Sequence, residues 1–307
     1  MNERFSAFLK LSDQVKKAIQ DKIPVVALES TVISHGLPYP DNLEVTKKMM
    51  LAIAKSGAVP AVIGLLDGFI HIGLNEEELE LFAVRKDILK VSRSDISYCL
   101  SEKRLGATTV SATMLCAFYA GIRVFSTGGL GGVHRGAEET FDISADLTEL
   151  SKTPVLVVCS GAKSILDIPK TLEYLETMGI PVIGYQTNHF PLFFTKESNY
   201  PLNQCLKSPK EIASLADIHW KLGLTGLVVA NPVPAPDSLE GDVVEEWIEK
   251  ATSDAAKQGI KGKAVTPFIL SKVAELSAGK TLETNKSLLV NNAALASEIA
   301  MSLKYDG

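Results

Sequence analysis

Short apolar runs rich in β-branched residues recur along the chain, each running into glycine or polar residues and then into a stretch with helical spacing. Pro24-Val-Val-Ala-Leu28, Ala61-Val-Ile-Gly-Leu-Leu66, Ile122-Arg-Val-Phe-Ser126, Pro154-Val-Leu-Val-Val158, Ile180-Pro-Val-Ile-Gly184 and Gly226-Leu-Val-Val-Ala230 read as strands. Their alternation is weak and helices intervene, as in strands covered on both faces. The pattern predicts an α/β fold, a three-layer αβα arrangement around a largely parallel or mixed central sheet. Asp41 or Asn42 opens a helix whose apolar stripe includes Leu43, Met50 and Ile53 and which stops before Gly57. Thr266-Pro267 predicts a cap followed by proline at the first helical position, and 291–301 predicts a closing helix. An accessory helix is expected over about 5–20. Asn231-Pro-Val-Pro-Ala-Pro236 follows a strand directly and reads as a rigid loop, so 1–307 is expected to form a single domain.

Composition narrows the function classes. The 307 residues are 46% apolar, enough for a large core, and 31 basic against 36 acidic side chains give a net charge of −5. No Lys/Arg block marks a nucleic-acid surface, so no nucleic-acid partner is expected. Cys99, Cys116, Cys159 and Cys205 are widely spaced without a C-x-x-C pair, which favours buried thiols over disulfides or zinc. The start Met1-Asn-Glu-Arg-Phe-Ser has no secretory pattern and no apolar run has membrane-spanning length. A cytoplasmic protein with no membrane partner is the expectation.

Candidate chemistry collects just after the strands, where ligands bind in open α/β sheets. Glu29 ends one strand and is followed by hydroxyls and His35; Ser92-Arg-Ser-Asp95 follows Ile88-Leu-Lys-Val91; Asn231 follows Ala230. The densest stretch is Ser126-Thr-Gly-Gly-Leu-Gly-Gly-Val-His-Arg-Gly136, then Thr140-Phe-Asp-Ile-Ser-Ala-Asp146, then a strand leading to Lys163. The glycines serve either as an anion cradle of exposed N–H groups or as a tight packing turn; their spacing matches neither a Rossmann nor a P-loop motif. Glu29 reads as a general acid or as a carboxylate capping nearby N–H groups. Lys163 leaves an apolar strand with no amphipathic surface pattern and reads as an amine nucleophile. Asp142 and Asp146 offer hard oxygens that suit Mg²⁺ or Mn²⁺ over zinc, although Ser144 or Asp142 also suits the cap of a helix starting near Ala145. His134 and Arg135 are placed to meet a substrate's base or phosphate, whereas His71, His189 and His219 read as structural. The combination points to chemistry on a phosphorylated carbonyl or sugar.

Those same residues carry a resemblance. Ala27-Leu-Glu-Ser-Thr-Val-Ile-Ser-His-Gly36, Lys90-Val-Ser-Arg-Ser-Asp95, Gly106-Ala-Thr-Thr-Val110, the run 126–147, Val158-Cys-Ser-Gly-Ala-Lys-Ser-Ile-Leu-Asp167, Gly184-Tyr-Gln-Thr187 and Val228-Val-Ala-Asn-Pro232 resemble the pseudouridine-5′-phosphate glycosidase family. The likeness runs from about residue 22 to the C-terminal helix. It implies reversible cleavage of the C–C glycosidic bond of pseudouridine 5′-phosphate to uracil and ribose 5-phosphate, with Mn²⁺ as cofactor and a homotrimeric assembly. It further implies Lys163 as the nucleophile that forms an imine with C1′ of ring-opened ribose, Glu29 as proton donor and Asp142 at the metal. Lys90, Val110 and the run Ser144, Ala145, Asp146 match substrate-binding positions, and His134 and Asn292 lie in matching motifs with a substrate-binding role. A Schiff-base lyase or aldolase acting on another sugar phosphate is the alternative, followed by a noncatalytic sugar-phosphate-binding protein.

Overall fold

The structure, a computed structural model, describes residues 3–260 and 262–304. Met1 and Asn2 of the N-terminal reading, Lys261 and 305–307 lie outside the described residues. One sheet contains β1 (Leu9–Leu11), β2 (Val25–Glu29), β3 (Val59–Leu66), β4 (Phe69–Ile72), β5 (Leu89–Val91), β6 (Gly106–Thr108), β7 (Val124–Ser126), β8 (Leu156–Cys159), β9 (Val182–Tyr185), β10 (Gln204–Leu206) and β11 (Leu227–Ala230). The order is β1-β4-β3-β2-β7-β8-β11-β9-β10, with β6 joined to β3 and β5 to β6. From β3 to β10 every pairing is parallel. Two antiparallel contacts on β3, from β4 and β6, make the sheet mixed. The first follows from a two-residue turn at Asp67-Gly68, where both residues take positive φ and fold β4 back on β3.

Each central strand is buried on both faces, which is why the sequence shows no clean alternation. Val26 and Leu28 join one apolar core with Ile53, Leu288 and Ile299; Val25 and Ala27 join the other with Cys116, Leu147 and Leu175. Helices Asp41–Lys55 and Lys280–Ser302 cover the first face, and Val110–Tyr119 and Asp13–Gln20 contribute to the second. The three predicted layers are present.

Two local expectations change. In place of one helix over 5–20 there is a turn of helix (Glu3–Ser6), then β1 paired to β4, then helix Asp13–Gln20. Ser12 causes the break: its extended backbone ends the strand, and its hydroxyl accepts the Val15 N–H to start the second helix. Helix Val265–Leu276 begins one residue before Thr266, because the helical turn Gly262–Ala264 leads straight into it. Helix Asp41–Lys55 starts where expected, but Asn42 is buried and donates to the carbonyls of Ile33 and Ala83.

The order of strand addition reverses between the parallel neighbours β2, which continues to β3 on one side, and β7, which continues to β8 on the other. Their carboxyl ends flank the crevice of the sheet.

Candidate active site

Glu29 is the last residue of β2 and is 6% exposed. A buried carboxylate needs donors, and Thr31 and Thr127 supply one hydroxyl to each oxygen. Thr127 directly follows β7, so its bond to Glu29 crosses the crevice between the ends of two parallel strands. Beyond Glu29 the chain forms a wide helical turn, Val32–Gly36, that carries His35.

Lys163 arrives from β8 through Ser160-Gly161-Ala162. Gly161 has φ +82°, and a Cβ there would lie 2.1 Å from the Pro191 carbonyl oxygen, so only glycine makes this turn. The Lys163 N–H then donates to the Leu130 carbonyl at 3.0 Å and ties the lysine segment to the glycine block. Lys90 lies on β5, the side branch that β6 hangs from β3. Three separate strand ends thus bring an acid and two amines to one mouth.

The mouth opens into two joined lobes that share Glu29, Thr31, Lys90 and Lys163. One, of about 280 Å³, is lined by His134, Asp142, Ser144, Ala145 and Asp146. The other is narrower and is lined by His35, Phe193 and Leu289 among others.

Much of the glycine block packs as a tight turn, while Gly128 and Gly129 line the narrower lobe. The Gly131 N–H already donates to Asp146 at 2.9 Å, and a Cβ on Gly131 would lie 2.2 Å from the Ser144 hydroxyl. Gly132 is held against Thr171 in the same way, and Gly129 against Phe193. Asp146 is consumed by this turn: its other oxygen accepts the Ser111 N–H at 2.9 Å, so the carboxylate joins the block to the start of helix Val110–Tyr119. Ser144 caps helix Ala145–Leu150 through the Asp146 N–H; Asp142 does not serve as the cap. Asp142 instead faces the larger lobe with His134, whose Nδ1 is 4.0 Å from its carboxylate. Burial pushes the His134 imidazole below its ordinary value, Asp142 acts the other way, and Lys163 and Lys90 push it down further. His35 is also held low, by burial first and by the nearby Lys90 charge second, with the Ile88 carbonyl opposing.

Three residues sit elsewhere than the sequence reading placed them. Arg135 turns away from the mouth, donating to Glu245 at 3.0 Å in a separate cavity. Val110 is 1% exposed with its side chain in the core, so any approach to a ligand is through its backbone. Asn292 is fully buried and lines neither lobe. Its amide donates to the Thr127 carbonyl at 2.9 Å and to the Ser160 hydroxyl at 3.1 Å, and its oxygen accepts from Asn231 at 2.9 Å. It fastens the ends of β7 and β8 from behind, a positioning place in the fold. Thr127 and Thr31 are the functional partners that residue-type reasoning missed; their signal is the same strand-end position that singles out Glu29.

His71 pairs with Glu78 at 2.8 Å and His219 lies 3.4 Å from the Thr225 hydroxyl, away from both lobes, in keeping with structural places. All four cysteines are free thiols, and three are buried. Among the described residues no helix is long and apolar enough to cross a membrane, and no cluster of three or more His, Cys, Asp or Glu side chains forms a protein-only metal cage.

Comparison with known proteins places this geometry in context. The family model described as indigoidine synthase A like protein matches residues 14–302. A pseudouridine-5′-phosphate glycosidase of Geobacillus kaustophilus is 54% identical over 297 residues, covering 96% of this chain and 99% of the relative. Its counterpart in Solibacter usitatus is 52% identical, again over 96% and 99%. Among solved structures, a prealnumycin C-glycosynthase in complex with ribulose 5-phosphate superposes with a TM-score of 0.89 at 38% identity, covering 96% of this chain and 97% of the other. An indigoidine synthase A-like protein from Thermotoga maritima gives 0.87 at 38%, with 95% of each chain covered.

Proposed function

We propose that this chain, which belongs to the pseudouridine-5′-phosphate glycosidase family of indigoidine synthase A like proteins, cleaves the C–C glycosidic bond of pseudouridine 5′-phosphate reversibly to uracil and ribose 5-phosphate. The observation that carries this reading is the convergence of Glu29, Lys90 and Lys163, from three strand ends, on one two-lobed cavity. A carbon–carbon bond to a base gives little purchase to the two-carboxylate chemistry that hydrolyses ordinary glycosides. An amine changes the problem.

Glu29 supplies the proton that opens the ribose ring at O4′, and the Thr31 and Thr127 hydroxyls, which can donate or accept, follow its change of charge. Lys163 bonds to C1′ of the opened sugar. Its nitrogen lone pair then forms C=N as the electrons of the C1′–C5 bond move to C5, which takes up a proton, and uracil leaves as a neutral ring. Water hydrolyses the imine, releasing ribose 5-phosphate and the lysine. Lys90, Ser144 and Ala145, with His134 beside them, hold the sugar phosphate in the larger lobe; Asp146 fixes the turn beneath it, and the Val110 backbone opens the adjoining helix.

That lobe also fits a divalent cation. Asp142 offers one hard carboxylate oxygen and the 280 Å³ of space admits waters to complete an oxygen shell, which suits Mn²⁺. Bound there, the ion would offset the negative charge of the phosphate. The assembly proposed from the family resemblance is a cytoplasmic homotrimer.

The test is uracil release from pseudouridine 5′-phosphate with and without Mn²⁺. Lys163→Ala is expected to stay folded and release none, and full activity in that variant would remove the lysine imine. The second reading, imine chemistry on another sugar phosphate, draws on the ribulose 5-phosphate bound to the C-glycosynthase relative. Borohydride trapping across sugar phosphates separates the two, since only a true substrate adds mass at Lys163; binding without any turnover would point to a noncatalytic sensor.

A further inference from the structure

The two lobes differ in what they offer. The larger carries hydroxyls, carboxylates and amines; the narrower one is walled by Val32, Leu37, Phe193, Leu270 and Leu289. Apolar walls with few polar groups receive the flat faces of a heterocycle, and the polar groups among them choose its edge. His35 is such a group. Its ring interacts with the Ile88 carbonyl, an acceptor, and Nε2 is the ring nitrogen without a hydrogen-bond partner among the described residues, which assigns the ring N–H to Nδ1 and leaves Nε2 an acceptor. Nε2 is buried and makes no hydrogen bond with the described residues. A buried acceptor left unmet is costly, so its place on the lobe wall calls for a donor from the ligand.

We infer that His35 is the specificity residue of the base lobe, accepting a ring N–H of the uracil moiety at Nε2. This rests on the reaction proposed above and deepens it. The phosphate presents only acceptors and cannot meet Nε2. A base attached through carbon keeps both ring N–H groups as donors, which a nitrogen-linked nucleotide does not. Lowered basicity of His35, from burial and the Lys90 charge, keeps Nε2 an acceptor near neutral pH. His35 so placed recognises the base by a hydrogen bond, and weaker binding of 1-methyluracil, in which N1–H is blocked, would make that bond one that a nitrogen-linked nucleotide cannot offer.

The experiment has a base arm and a sugar arm. His35→Leu is expected to raise the KM for pseudouridine 5′-phosphate, and the inhibition constant of uracil, about tenfold or more. His35→Gln, whose amide oxygen can accept in the same place, is expected to stay within about threefold of the parent by the same reasoning. Borohydride trapping of ribose 5-phosphate at Lys163 should be unchanged in both. For the unsubstituted protein, either 1-methyluracil or 3-methyluracil should bind about tenfold more weakly than uracil, and that difference should vanish in His35→Leu. Unchanged KM in His35→Leu, or equal affinity of the unsubstituted protein for all three uracils, overturns the inference; the second measurement stands even if His35→Leu fails to fold. Loss of ribose 5-phosphate trapping in His35→Leu overturns it in another way, by assigning the residue to Lys90 and the sugar. Failure of the underlying reaction looks different: the unsubstituted protein then traps no ribose 5-phosphate and releases no uracil.

Discussion

Glu29 owes its geometry to two hydroxyls on different segments, and each can be removed without loss of bulk. Thr127→Val and Thr31→Val take one charge-assisted bond from a buried carboxylate, a change of about 1.5–3 kcal/mol. Steady-state kinetics should show kcat lowered about 10- to 100-fold with KM little altered, as expected of groups that hold the acid rather than the substrate. His35 makes a pH prediction. Its folded pKa lies below the ordinary value of 6.5, so between the two values the unfolded chain binds the proton more readily. The associated stability is present above about 6.5 and is lost as pH falls toward the lowered folded value. Melting curves should therefore show the unsubstituted protein losing stability relative to His35→Gln between neutral pH and pH 5. At this scale the sequence made Glu29 and Lys163 legible because one ends an apolar strand and the other follows one within four residues. It hid their partners, because a threonine in a glycine-rich turn looks the same whether it faces solvent or a carboxylate contributed by a segment 98 residues away.

Turns, more than helices, set the elements of the site. Gly161→Ala would drive a methyl group into the Pro191 carbonyl, and expression should yield little folded protein or protein without activity. Gly223→Ala is the control: the residue also has positive φ, +72°, but nothing lies within 4 Å of the added Cβ. It should cost only the backbone preference, about 1–2 kcal/mol, with activity kept. Asn292→Ala strands the Thr127 carbonyl, the Ser160 hydroxyl and the Asn231 amide in a closed interior. A loss of about 3 kcal/mol is expected from denaturant unfolding, with lowered activity through displacement of both strand ends. Core strands were readable from their unbroken apolar runs. The N-terminal segment was not, since β1 exists only by pairing to β4, a partner about sixty residues away whose presence no local pattern announces.

At the scale of the molecule, strand order switches between the parallel neighbours β2 and β7, and the Glu29 carboxylate stands at that switch. Recurrent polar residues after strands located this mouth in the sequence, because a parallel sheet puts all those ends on one side. The branch through β6 was not readable, for it depends on a backbone crossing onto β3 that leaves no periodic mark. It matters, since it delivers Lys90. Light scattering tests the proposed homotrimer directly, and a monomer at working concentration would contradict it.

The last long helix, Lys280–Ser302, carries Asn292 to the backs of β7 and β8 and packs along Asp41–Lys55. Synthesis proceeds from the N-terminus, so Glu29, Lys90 and Lys163 leave the ribosome well before the helix that fixes two of the strand ends between them. A nascent chain therefore lacks the bonds that fix Thr127 and Ser160 at the ends of β7 and β8 until this helix has emerged. A chain stopped short of this helix would keep Glu29 and Lys163 and lose the Asn292 bonds that align the strand ends between them.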